Sequence, residues 1–268
     1  MTGSRVREPA VAGTFYPSDP EILRATVERY LEDAAAAAGS ASAPPPKAVV
    51  APHAGYVYSG PVAARAYARV VPLRGRVERV VLLGPAHRVP LTAIAAPGAD
   101  ALATPLGAVR VDTAARDRLV GAGSVVVSDQ AHAGEHSLEV QLPFLQVALG
   151  EMAVLPLAVG RVPASAVADV LDAVWGGDET LIVVSSDLSH YHDHATATEL
   201  DRHTAAAVVA RQVEALEPED ACGVFPLRGL LAAARRHDLD VELLDLRTSG
   251  DTSGDADRVV GYGAFALA

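Results

Sequence analysis

The sequence predicts an α/β fold: a single domain over residues 1–268, with a mixed, mainly parallel sheet flanked by helices. Two observations carry this. Short, near-continuous apolar runs alternate along the chain with longer segments of helical spacing, as expected of strands covered by helices on both faces. The apolar half of the chain is also aliphatic: hydrophobic residues are 50% and aromatic ones 4%. A length of 268 residues suits one α/β domain.

The elements follow in order. In EILRATVERYLEDA the apolar Ile22, Leu23, Ala25, Val27, Tyr30 and Leu31 recur at helical spacing, predicting a helix from near Pro20. It runs through a string of alanines into AAAAAGSASAPPP at 34–46, where the prolines stop it. Residues from about 20 to 46 thus form an N-terminal helix and an Ala/Pro-rich linker that elaborate the domain. Strands are predicted at Ala48–Ala51, Val80–Leu83, Thr92–Ala95, Met152–Val159, Leu181–Ser185, Val241–Leu246 and Val259–Ala266. Helices are predicted at Pro61–Val70, Asp112–Val120, within Leu138–Leu149, and at Ala164–Trp175, Ala195–Val213 and Pro218–His237. Pro143 implies that the third of these starts late or kinks. The last strand is a candidate to run antiparallel.

Composition excludes several classes. The net charge of -11, from 22 basic and 33 acidic residues, argues against nucleic acid and against anionic membranes as partners. No apolar run reaches the roughly 18 residues of a membrane span, and no apolar stretch follows MTGSRVREPA to make a signal peptide. One cysteine excludes an internal disulfide, and the lack of CxxC excludes a zinc knuckle. A cytoplasmic protein is expected, whose partner is a small molecule or a peptide.

Chemistry collects where strands end. KAVVA runs into Pro52-His53, RVVLLG into Pro85-Ala86-His87, and TLIVVSS into Asp187-Leu188-Ser189-His190. Ligands of open α/β sheets bind at the carboxyl ends of strands, and three of the nine histidines sit at such ends. Singly, His53 and His87 read equally well as turn residues beside Pro or Gly. Together they suggest a metal, because neutral imidazole is the commonest ligand of Fe, Zn and Cu. An Asp near a His, as Asp187 is to His190, can orient the ring and raise its basicity for proton transfer. His192-Asp193-His194 offers further candidate ligands, but reads more readily as a solvated loop entering the next helix. His136, in AGEHSLEVQLPF, lies near a helix start and can project into a cleft, with Glu135 read as a cap and His132 as exposed. HExxH and GxSxG are absent, which excludes a zincin and disfavours a serine hydrolase. Cys222, in EPEDACGVFPLRG, reads by default as a small core residue. Grouped with histidines, its thiolate would suit Fe(II), Cu or Zn.

Seven blocks occur in order: REPAVAGTFYP at 7–17, PHAGYVYSG at 52–60, LLGPAHR at 82–88, EHSLEVQLPFLQ at 135–146, SSDLSHY at 185–191, CG at 222–223 and VVGYG at 259–263. Through them the chain resembles the Memo family, called AmmeMemoRadiSam system protein B in bacteria and archaea. That family resembles class III extradiol dioxygenases of the LigB type. The resemblance implies a dioxygenase-like fold with a metal in its cleft. It implies His53, His87 and Cys222 as ligands, the cysteine standing where the dioxygenases have a carboxylate. His136, Asp187 and His190 would line the pocket as acid/base residues, with His190 at the base position. Fe(II) is the implied metal, with Cu or Zn as alternatives, and the implied function is a metal-dependent oxidoreductase. A non-catalytic metal-binding or redox scaffold and a peptide-binding module using the same cleft are the other readings. One departure is local: Val224 and Phe225 replace residues that are commonly polar in the family, which predicts a more apolar pocket wall.

Overall fold

Alternate residues of the central strands face opposite ways, and both sets are buried. Val49, Val80, Leu82 and Val183 enter one core, while Val50, Val81, Leu83 and Val184 enter another on the opposite face. This pattern forces helices onto both faces of the sheet. The computed structural model describes residues 5–38, 44–252 and 255–268. Residues 39–43 of the Ala/Pro-rich linker and the first four of the chain lie outside the described residues.

The strands are β1 (Val6–Arg7), β2 (Ala48–Ala51), β3 (Arg79–Pro85), β4 (Ile94–Ala96), β5 (Ala101–Thr104), β6 (Gly107–Val111), β7 (Val126–Val127), β8 (Ala153–Val159), β9 (Thr180–Ser185), β10 (His190–His192), β11 (Val241–Thr248) and β12 (Val259–Leu267). The path through the sheet is β1-β5-β6-β8-β3-β9-β2-β12-β10. Its centre, β8-β3-β9-β2, is parallel throughout. β12 runs antiparallel to both β2 and β11. From β2 the chain passes on to β3, leaving a place that β9 fills later. The carboxyl ends of β2, β9 and β3 therefore stand side by side on one edge.

One face carries α1 (Pro20–Ala38), α2 (Tyr56–Val70) and α5 (Gln141–Leu149), through Leu23, Val27, Tyr67 and Leu142. Asp19 starts α1 by accepting the N–H groups of Glu21 and Ile22, each at 2.9 Å. Pro143 falls in the first turn of α5, where its missing N–H costs nothing. The other face carries α6 (Ala164–Ala173), α7 (His194–Val209) and α8 (Val224–Arg236), through Val167, Leu171, Val208, Leu227 and Leu230.

The expected strands all exist, with ends shifted by at most two residues. Three differences stand out, two of them with a physical cause. The β5–β6 hairpin was not expected: β6 is half-exposed and short, so it lacks a continuous apolar run. α2 begins at Tyr56 and holds Pro61 inside it rather than at its start. α8 begins at Val224 rather than Pro218, because Gly223 is pinned outside it: its N–H donates to Ser186 Oγ at 3.0 Å, and a Cβ there would fall 2.6 Å from Ser186 Cβ.

Candidate metal centre

His53 follows β2, His87 follows β3 and Asp187 follows β9, so the sheet order itself brings them to one place. The link is direct. Asp187 Oδ1 accepts the His53 backbone N–H at 2.7 Å. His136, which precedes α5, completes the group. The rings of His53 and His87 lie 5.2 Å apart between centroids, His53 and His136 5.5 Å, and His87 and His136 4.8 Å. One ring nitrogen from each comes within 4.8 Å of the others.

Hydrogen bonds decide which nitrogens are free. Ser185 Oγ donates its one proton to Ser137 O at 2.7 Å. Toward its other neighbours it must accept, from Gln141 Nε2 at 2.7 Å and from His53 Nδ1 at 2.8 Å. His53 therefore carries its proton on Nδ1 and presents the lone pair of Nε2. His87 is held the same way by a carboxylate. Glu135 Oε1 lies 2.9 Å from His87 Nδ1, and Oε2 accepts the His87 backbone N–H at 2.6 Å. Glu135 Oε1 also accepts the N–H groups of His136 and Ser137, each at 2.9 Å. Glu135 is thus more than the helix cap expected of it: it ties two of the three histidines together. A carboxylate on the rear nitrogen of an imidazole is the usual outer partner of a metal-binding histidine.

The charges suit metal binding. Burial lowers His53 to about 3, with the neighbouring His87 adding to the shift. Burial likewise lowers His136 to about 4, helped by His53. Both rings are therefore neutral near neutral pH, the form in which imidazole can bind a metal. Burial opposes ionisation of Glu135, but hydrogen bonds from His87 and from backbone N–H groups outweigh it and hold its carboxyl well below the usual range. Among the described residues His136 Nδ1 is buried without a hydrogen-bond partner, with Glu135 Oε1 3.4 Å away, and a metal would satisfy it. Nitrogen donors with a thiol beside them fit Fe, Cu or Zn and not Mg or Ca.

Cys222 is not one of the three side chains whose donor atoms all lie within 4.8 Å of one another, but it stands beside His53. Its Sγ lies 3.3 Å from His53 Nε2. That spacing suits two donors of one ion with bonds of about 2.0 Å to nitrogen and about 2.3 Å to sulfur. The cysteine is fixed by its backbone N–H to Asp187 O at 3.2 Å, and its Sγ accepts the Asp187 N–H at 3.3 Å. Burial raises its thiol, and the Asp187 carboxylate adds to the rise. Cys222 is accordingly a neutral thiol until a cation displaces its proton.

A cleft of about 410 Å³ opens beside the histidines, lined by His136, Asp187, His190, Phe15, Tyr58 and Tyr262 among others. His190 shares it with His136 and Asp187, but the expected pairing of Asp187 with His190 is not the one made. His190 Nδ1 bonds Leu188 O at 2.7 Å, while Asp187 is engaged by His53. A backbone carbonyl, not a carboxylate, holds the His190 tautomer and leaves Nε2 free. Val224 and Phe225 do not make a pocket wall. Val224 is buried in the core under α8 and Phe225 packs against that core, on the far face of the sheet. His132 is buried rather than exposed, its Nε2 within 2.8 Å of Ala95 O. His192 and Asp193 are exposed, and Asp193 caps α7, as expected of a solvated loop. Among the described residues, no helix is long and apolar enough to cross a membrane.

Comparison with known proteins finds relatives over nearly the whole chain. A MEMO1 family protein of Methanopyrus kandleri is 39% identical over 97% of this chain and 98% of its own. One from Aquifex aeolicus is 38% identical over 96% of this chain and 97% of its own. The crystal structure of an uncharacterized protein from Escherichia coli K12 superposes with a TM-score of 0.52 over 81% of this chain and 98% of that one, at 14% identity, a likeness of fold alone. The profile of the Memo-like protein family matches residues 7–266, which takes in every strand end and every histidine of the centre. This chain belongs to the Memo-like protein family.

Proposed function

We propose that the chain is a metal-dependent oxidoreductase acting on a small molecule in the cleft beside the histidine group. The carrying observation is the convergence of His53, His87 and His136, with one nitrogen of each within 4.8 Å of the others. His53, His87 and Cys222 are the proposed ligands, which leaves a position open, with His136 lining the cleft beside them as an acid/base residue. Fe(II) is the favoured metal and Cu the next, because the set mixes imidazole with a thiolate. Bound there, such a metal supplies a Lewis acid and a one-electron couple. The chain's own part is proton handling. His190 Nε2, left free by the bond from Nδ1 to Leu188 O, takes a proton from a substrate hydroxyl in the cleft. Phe15, whose ring lies 4.7 Å from that of His136, narrows access of water to the group.

A second reading has its own support. If Cys222 and all three histidines bind one ion, four protein donors close a tetrahedral site, and the protein is a metal carrier or redox scaffold without turnover. Elemental analysis after anaerobic purification tests the metal. His53→Ala and His87→Ala should empty the site, and full occupancy in both would sink the assignment. Exogenous azide separates the two readings: a shifted metal spectrum means an open position and favours the enzyme, and no shift favours the closed site.

A further inference from the structure

The segment that carries His190 is clamped from both sides. From β12, Gly261 O accepts the Leu188 N–H at 2.8 Å, and the Gly261 N–H donates to Ser189 O at 2.8 Å. From α7, Asp201 Oδ1 accepts the Ser189 N–H at 3.0 Å. The N–H groups of Leu188 and Ser189 and the Ser189 carbonyl therefore all end on Asp201 or Gly261, and the Leu188 carbonyl of the peptide they orient is the one that holds His190 Nδ1 at 2.7 Å. Asp201 and Gly261 also fit each other. A Cβ on Gly261 would fall inside the Asp201 carboxylate, so the acid seats directly over the bare backbone of β12.

Asp201 is an expensive residue to keep there. It is 1% exposed, and among the described residues it pairs with no cation and is served by Ser189 alone. A buried carboxyl so poorly served costs stability unless it does something local. The residue after His190 reinforces the point. Tyr191 stands at φ 65° beside a register shift between His190 and His192. A non-glycine residue holds that conformation only where its surroundings over-determine it.

We propose that Asp201 is a positioning residue: through Ser189 and Leu188 it fixes the tautomer of His190 and the direction in which Nε2 faces the cleft. This rests on the reading of His190 as the proton-handling side chain, but it is measured separately. In protein labelled with 15N-histidine, the ring nitrogens of His190, assigned by their absence in His190→Gln, report the tautomer. The native protein should show a single Nδ1–H form. Asp201→Ala should lose it, giving the mixed Nδ1–H and Nε2–H population of an unconstrained ring, while His53 and His87 keep their native shifts and the metal content is unchanged. Asp201→Asn, which retains an oxygen for the Ser189 N–H and removes the buried charge, should restore the native pattern. If Asp201→Ala fails to fold, Asp201→Ser serves instead: it keeps a polar group on α7 but is too short to reach Ser189. Native His190 nitrogen shifts in a folded Asp201→Ala or Asp201→Ser protein would overturn the proposal. A loss of pattern that Asp201→Asn does not restore would also overturn it. Turnover of His190→Ala decides the proton-transfer reading independently.

Discussion

Glu135 grips His87 twice, by the ring Nδ1 at 2.9 Å and by the backbone N–H at 2.6 Å. One carboxylate thereby sets both where the imidazole stands and which nitrogen it offers. The same oxygen that holds the ring also takes the backbone N–H groups of His136 and Ser137. Glu135→Gln replaces an acceptor of four donors with an amide that must point its own N–H groups at some of them. Outer partners of this kind are worth about 10- to 100-fold in metal affinity. Competition titration against a chelator should show a loss of that size in Glu135→Gln, and an unchanged affinity would mean that His87 is not a ligand.

Ser185 has the equivalent role for His53, but buried in the sheet. Ser185→Ala removes the acceptor of His53 Nδ1–H and leaves part of the Gln141 amide unpaired. A buried donor left without a partner costs about 1–3 kcal/mol. Urea denaturation should show this loss in the metal-free protein. Metal content should fall as well, because the His53 proton is then free to move to Nε2. Native stability in Ser185→Ala would contradict the hydrogen-bond assignment.

The N-terminal segment is fastened by Glu139. This carboxylate pairs with Arg7 and accepts from Ala10 N–H at 2.8 Å, Val11 N–H at 2.9 Å and Tyr16 Oη–H at 2.7 Å. Breaking a buried pair by removing one partner typically costs about 3–5 kcal/mol. Glu139→Ala should lose stability on that scale in equilibrium unfolding. It should also make residues 7–17 sensitive to protease, since four of their bonds end on this one side chain. A loss below about 1 kcal/mol would place Glu139 outside the stabilising network.

Asp112 makes a pH-dependent contribution. Burial alone would raise its carboxyl, but the N–H of Ala115, which it caps at 2.9 Å, and the guanidinium of Arg79 outweigh this and lower it. A carboxyl lowered on folding stabilises above its unfolded value of about 3.9, and that stabilisation is lost as pH falls through the folded value. Asp112→Asn retains a helix cap and loses the charge. The stability gap between native protein and Asp112→Asn should therefore be widest above about pH 5 and close as the pH falls below about 4. A gap that stays constant over this range would rule out the charge as its source.

The seven strand runs and the placement of His53 and His87 at strand ends were legible in the sequence, because an interior parallel strand needs a short unbroken apolar run and the polar residue after it is local. The β5–β6 hairpin was not legible, since a short, half-exposed strand such as β6 needs no such run. His132 shows the same limit. Its burial depends on Ala95 O, 37 positions away, and nothing in its own neighbourhood marks it.

The sequence by itself determined the fold class, the family and the three strand ends at which chemistry collects, since each is written in contiguous residues. Tertiary structure decided the rest. β9 lies between β3 and β2, which brings His87, Asp187 and His53 together. His136 joins them, Glu135 and Ser185 choose the nitrogens, and Leu188 rather than Asp187 holds His190. Ser185 and His53 are 132 positions apart and Glu135 and His87 are 48 apart. Hydrogen bonds across such separations depend on strand order and register, which no local spacing encodes.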